Sequence, residues 1–244
     1  MTAVRKSYKK TAMDGFPFTA RWIGRPLADI LAVPICRAGF TANGVTIFRI
    51  ILYFASVLLL LLPQYIYTVC GAIGLILAFV LDFVDGHLAR LRNEASYFGK
   101  FLDGVGDYFF PVFLTLPVAI RIGAEFEHFS LVNFSILASL LILANRMVRE
   151  RSRYFLATLP KHLLEANKKN TTLIRIQRFE AFFAGHSANT RIICIFILII
   201  PGADLVYLIL MLACQLLLES CWFCLTFLHS YVALNHWRKS ASAT

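Results

Sequence analysis

The chain has 244 residues, 59% hydrophobic and only 16% charged, with a formal net charge of +10 and a mean hydropathy of +0.69. Soluble domains are about 45–50% apolar, so a chain of this length cannot hide such an excess in one water-soluble core and must place much of its surface in lipid. The positive charges stand in blocks between apolar runs, a pattern of membrane topology rather than of nucleic-acid binding, and the length leaves no room for a second large soluble domain.

The first 30 residues hold no long apolar core, so no cleavable signal peptide is expected. Residues 16–40 mix Trp22, Ile23, Leu27, Ile30 and Leu31 with Arg21, Arg25 and Asp29, which predicts an amphipathic juxtamembrane helix lying on the inner membrane face. A spanning helix needs about 20 mainly apolar residues. Six runs qualify approximately: 45–63, 67–85, 107–120, 131–147, 192–202 and 206–234. The second and third are expected to continue as helix beyond the bilayer. With six spans, every Lys and Arg except Arg121 falls on one side, which predicts cytoplasmic termini.

The expected architecture is therefore all-α: an integral membrane bundle of six transmembrane helices with an amphipathic N-terminal helix. Residues 1–43 form a cytosolic N-terminal segment, 44–234 the transmembrane catalytic domain and 235–244 a cytosolic tail. The basic, partly apolar stretch 154–190 reads as interfacial. The six cysteines, including Cys221 and Cys224 in a CxxC, lie mostly in apolar runs and read as buried apolar side chains rather than a metal or redox site.

Chemistry concentrates where the second span ends and the third begins. Asp82 and Asp85 are three residues apart, and Asp103 and Asp107 four apart, so each pair shares a helix face. Two consecutive helices joined by a short loop run antiparallel and turn the pairs toward each other. Carboxylates at membrane depth are costly and mark function. Four together need positive charge between them, and an oxygen-only donor set suits a hard divalent cation such as Mg²⁺, Mn²⁺ or Ca²⁺ rather than zinc. Such a cluster can clamp a pyrophosphate and stabilise a leaving group. Gly86 and Ala89 on one helix, and Gly99, Gly104 and Gly106 on the other, leave room for a ligand. Arg90, one turn past Asp85, suits either a phosphate fork or an interfacial anchor.

The run Asp82-x2-Asp85-Gly86-x2-Ala89-Arg90-x8-Gly99-x3-Asp103-x3-Asp107 resembles, at every fixed position, the signature of the CDP-alcohol phosphotransferase family. Upstream, Thr41-Ala42-Asn43-Gly44-Val45-Thr46 is similar to that family's Thr-Pro-Asn-x-x-Thr, with Ala42 in place of proline. The resemblance implies Mg²⁺ or Mn²⁺, two ions, held by Asp82, Asp85, Asp103 and Asp107, with Asp107 as the catalytic base. It implies a nucleotide site of Asn43, Thr46, Asp85, Gly86, Ala89, Arg90 and Gly99. It implies a CDP-linked donor, an alcohol acceptor, release of CMP, a homodimer and a site opening to the cytoplasm and to membrane lipids. Two directions fit the signature: a phosphatidyl group from CDP-diacylglycerol to a small polar alcohol, the favoured one, or a head group from a soluble CDP-alcohol to a lipid hydroxyl. A non-enzymatic divalent-cation carrier is the alternative of another class, disfavoured by the scarcity of ionisable residues in the outer halves of the spans.

Other residues carry weaker signals. Arg146, Arg149 and Arg151 continue the fourth span and are candidates for binding a phosphorylated acceptor, or for contacting anionic lipid. His87 reads as solvated. Asn43 and Thr46 suit a helix cap as well as a nucleotide contact. His186 to Arg191 reads as a cap opening the fifth span, with a place in the acceptor site as the other possibility. Gln215 and Glu219, four apart inside the sixth span, suit a functional role, dimer packing or hydrogen bonds to another helix.

Overall fold

The computed structural model describes residues 18–92, 96–127, 129–158 and 170–241, with side chains described as far as Asn235. All regular structure among them is helical, as expected. A wide π-type turn at Ala20–Gly24 leads into α1, Arg25–Arg37. Then follow α2, Ala42–Leu59; α3, Tyr65–Arg92; α4, Tyr97–Val112; α5, Leu116–Phe126; α6, Phe129–Ala157; α7, Thr171–Ile197; and α8, Asp204–Ala241.

Five segments are long and apolar enough to cross a membrane: α2, α3, α4 with α5 taken as one, α6, and α8 as far as Asn235. The expected run 192–202 is not a helix of its own; it begins as the last part of α7, whose earlier turns carry Arg175, Arg178, Glu180 and His186. Much of the stretch expected to lie at the interface, 154–190, is thus the end of α6 and most of α7, and 159–169 falls outside the described residues. The bundle fits a multi-pass membrane protein. Its outer faces carry bulky apolar groups such as Ile51, 61% exposed, and Leu217, 67% exposed, which water would not tolerate in such numbers.

The amphipathic helix is present, with an unusual division of faces. Ala28 and Ala32 of α1 are buried against Val84 and Leu88 of α3, whereas Leu27 and Ile30 point outward. Small residues bring α1 close to α3 and leave the large ones for an interface. The same device joins α2 to α3. A Cβ on Gly71 would stand 2.9 Å from the Ser56 carbonyl oxygen, so the two backbones approach as closely as they do only because Gly71 has none.

The third membrane segment is broken at residues 113–115, between Pro111 in the last turn of α4 and Pro117 at the start of α5. A helix end leaves its last four carbonyls without partners in the helix, and lipid offers no water to replace the lost bonds. Four side chains from other helices take up the released carbonyls. Tyr53 donates to the Phe109 and Phe110 oxygens at 3.1 and 3.0 Å, Gln215 to Pro111 at 3.3 Å, Ser139 to Val112 at 2.8 Å, and Tyr207 to Leu114 at 2.6 Å. The break is therefore clamped by α2, α6 and α8.

Arg121, the one basic residue on the other side of the expected topology, is held by protein partners. It is buried, donates to Thr68 and to the Leu62 carbonyl, and pairs with Asp204 at 2.6 Å, tying α5 to the starts of α3 and α8. The cysteines are all unbonded, but only Cys194 and Cys214 are buried; Cys70, Cys221 and Cys224 face outward, which corrects the expectation of burial.

Replacing Tyr207 by Phe keeps the ring and strands the Leu114 carbonyl. We expect a loss of about 1–3 kcal/mol, read as a lower melting temperature in detergent; an unchanged melting temperature would mean that the clamp contributes nothing.

Candidate active site

The last turns of α3 and the first turns of α4 bring the aspartates together. Ser96 accepts a hydrogen bond from the Gly99 N–H at 2.9 Å and so caps α4, which fixes where that helix starts and which face it turns to α3. Asp82, Asp103 and Asp107 then each offer a carboxylate oxygen within 4.8 Å of the others. Opposite oxygens around one hard cation stand roughly 4 to 5 Å apart. The donor set and its size therefore fit a divalent ion held by these three residues.

Asp85 is placed differently. It is buried, and its Oδ2 lies 2.8 Å from the Thr46 hydroxyl of α2, outside the group of three. The same hydroxyl is 3.1 Å from the Ala42 carbonyl, so its single proton has two acceptors to choose between. Thr46 is thus no cap, and neither is Asn43. The cap of α2 is Thr41, whose side chain accepts from the Gly44 N–H at 3.1 Å. Asn43 instead reaches the start of α4, where a Cβ on Gly99 would stand 2.8 Å from its Oδ1.

The positive charge among the carboxylates is supplied by a residue that reads in the sequence only as one more basic residue near the first span. Arg49 of α2 is buried, pairs with Asp82, and lies 3.3 Å from Asp103 Oδ1 and 3.5 Å from the Asp103 carbonyl. Its guanidinium occupies the space a side chain at position 106 would need: a Cβ on Gly106 would be 2.5 Å from Nη2. A permanent cation that never deprotonates is suited to hold such a cluster together.

Part of this group lines a cavity of about 350 Å³. Asp82, Asp107, Arg49, Arg146 and Arg191 supply its polar part. Phe54, Phe79, Phe83, Phe109 and Phe110 supply an aromatic wall. Thr19 and Ala20, from the turn before α1, also line it, and Thr19 is tied to α7 by 2.9 Å contacts from its N–H and its hydroxyl to Asn189 Oδ1.

A family model described as CDP-alcohol phosphatidyltransferase matches residues 40–218. The chain belongs to this family. It is also 34% identical over 93 residues to a CDP-diacylglycerol–glycerol-3-phosphate 3-phosphatidyltransferase of Sodalis glossinidius (strain morsitans), covering 33% of the chain and 51% of that relative. It is 32% identical over 108 residues to the protein of the same name from Wigglesworthia glossinidia brevipalpis, covering 39% of the chain and 55% of the relative. The chain thus spans about half the length of the curated relatives it matches.

The family signature is distributed over three surroundings. Gly86 lies near the Arg90 guanidinium, 3.6 Å from where its Cβ would be, and Ala89 packs at the edge of the apolar cluster under α1. Of the three arginines predicted to meet an acceptor, Arg146 lines the cavity; Arg149 stacks on Trp222, its Cζ 5.0 Å from the ring centroid; Arg151 turns away onto Phe155, at 4.6 Å. Arg191 lines the cavity from the last third of α7, where no cap exists because the helix runs through it. His87 is a half-buried helix residue whose Nδ1 lies 2.8 Å from the exposed Asp29 of α1.

Replacing Arg49 by Met removes the cation and leaves the carboxylates facing one another. We expect a lower melting temperature in chelator, largely restored by millimolar Mg²⁺ or Mn²⁺. Equal stability of variant and parent in chelator would show that Arg49 does not hold the cluster.

Proposed function

We propose that the protein is a metal-dependent phosphotransferase of phospholipid synthesis that moves a phosphatidyl group from CDP-diacylglycerol to a small polar alcohol and releases CMP. The observation that carries this reading is the union, in one cavity, of a carboxylate–arginine floor and an aromatic wall. A donor with a charged diphosphate and two acyl chains needs both. The family membership and the names of the relatives support the same direction of transfer.

In this account Asp82, Asp103 and Asp107 hold the divalent cations, with Asp85 as the further ligand expected from the signature. Bound metal would neutralise the diphosphate and stabilise charge on the departing nucleotide. Asn43 and Thr46 of α2, Gly86, Ala89 and Arg90 of α3, and Gly99 of α4 face the cytidine side. Asp107 accepts the proton of the acceptor hydroxyl. The alcohol oxygen bonds to the phosphorus distal to cytidine, the bond from that phosphorus to the bridging oxygen breaks, and CMP departs with the electron pair. Arg146 and Arg191, the cations that line the cavity beside Arg49, favour an acceptor that itself carries phosphate.

The same reading extends to topology and assembly. α7 would complete a sixth crossing with the help of its partners, both termini and the aspartates would face the cytoplasm, and two copies would form a homodimer. Residues 1–43, 44–234 and 235–244 keep the roles of N-terminal segment, catalytic domain and tail.

The test is CMP release from purified protein given CDP-diacylglycerol, glycerol 3-phosphate and Mg²⁺ or Mn²⁺. Asp107→Asn should lower turnover by about 10²–10⁴-fold, the range of a lost general base, while CDP-diacylglycerol binding stays measurable. Parental turnover in that variant would remove Asp107 as the base. CMP released from CDP-choline and a lipid hydroxyl, but not from CDP-diacylglycerol, would reverse the direction of transfer.

A further inference from the structure

Glu219 lies inside α8, is 1% exposed and does not belong to the carboxylate cluster. A buried carboxylate is tolerated only when paired and fully hydrogen bonded. Its Oε1 accepts from the Ser187 hydroxyl at 2.6 Å and from Arg191 Nη1 at 2.8 Å, and its Oε2 accepts from Asn145 Nδ2 at 2.9 Å. Ser187 and Arg191 are four apart on α7, so one carboxylate grips one face of that helix and, through Asn145, also holds α6.

Three residues along α8 from Glu219, on the same face, stands Trp222, itself 4% exposed. Arg149 lies over its ring at 5.0 Å and Arg146 at 5.9 Å, and Arg146 also lies 5.9 Å from the Tyr108 ring. An arginine stacked on an aromatic face loses freedom to swing without losing its N–H donors. The Trp222 indole N–H and the Arg149 Nε–H are both buried without a hydrogen-bond partner among the described residues, so donors remain at this place for an acceptor-rich ligand.

We propose that Glu219 and Trp222 are positioning residues: from one face of α8 they fix Arg191, Arg146 and Arg149 as a preformed receptor for the phosphate of the alcohol acceptor. The inference rests on the acceptor reading above and assigns it to a helix outside the signature. Glu219 offsets one of the three guanidinium charges and leaves positive charge in excess among these four side chains. That matches a phosphomonoester dianion better than a neutral alcohol or a single carboxylate. Glu219 also orients the Arg191 fork by occupying one end of it, so that the cavity receives the other. Neither residue is required to touch the reacting atoms.

Kinetics of the full chain in detergent with CDP-diacylglycerol test this, using glycerol 3-phosphate and glycerol as acceptors and inorganic phosphate as a competitor. Glu219→Gln preserves size and removes the charge. The expected result is a rise of about tenfold in acceptor KM and in the inhibition constant of phosphate, with kcat and donor KM changed less than about twofold. Trp222→Leu, which leaves the Glu219 pairs intact, should shift the same two constants and carries the test if Glu219→Gln does not fold. A role in packing alone would instead lower the melting temperature and kcat at unchanged acceptor KM, and that outcome overturns the proposal. Parental enzyme that uses glycerol as well as glycerol 3-phosphate would overturn the acceptor reading itself. Discrimination by the parent together with unchanged acceptor KM in the variants would overturn only the assignment to Glu219 and Trp222.

Discussion

Negative charge held at the end of a membrane bundle is the constraint on which this structure depends. Three carboxylates within 4.8 Å of one another repel, and cations built in beside them offset that repulsion. Arg49 is the nearest of these, and its place explains several features at once. It requires α2 to lie against both α3 and α4, and it requires Gly106 to have no side chain. Thr46, one turn earlier on α2, meets Asp85 from the same helix. The second and third spans of the chain carry the signature, but the first span makes it habitable.

The rest of the bundle is arranged to keep that end rigid. α4 carries Asp103 and Asp107 near its start and ends at a break whose carbonyls are clamped by Tyr53, Gln215, Ser139 and Tyr207, so it is fixed at its far end by three other helices. Tyr53 and Arg49 are one turn apart on α2, so one helix supports both the charged start of α4 and its broken end. At the opposite end of the bundle the buried Arg121–Asp204 pair performs a similar service for α3, α5 and α8. Polar side chains in this protein mostly serve backbone groups or other polar side chains, as an apolar surrounding demands.

What the sequence reveals follows the range over which each signal acts. The aspartate pairs are legible because three- and four-residue spacings state a helix face directly, and the family resemblance rests on that local spacing. The helical class and most of the spans are legible because apolar runs are local too. Arg49 is not, since its partners lie 33 and 54 positions away and nothing near it distinguishes a cluster cation from a topological one. Thr41 displaces Asn43 and Thr46 as the cap because all three residue types suit that role and only the backbone decides. Charged residues hide the continuity of α7, whose polar early turns resemble an interfacial segment until Ser187 and Arg191 are seen to meet Glu219. Glu219 itself was visible as an anomaly, a lone carboxylate in an apolar run, but its purpose required three helices to be seen together.

We infer that Asp82, Asp103 and Asp107 form a divalent-cation site beside Arg49, next to a cavity lined by cationic, aromatic and aliphatic side chains. Anomalous diffraction from crystals grown with Mn²⁺ and a CDP-linked donor analogue tests it most directly. The account predicts manganese peaks in contact with those three carboxylates and the donor's diphosphate adjoining them. Manganese bound elsewhere, or the diphosphate seated away from the aspartates, would contradict it.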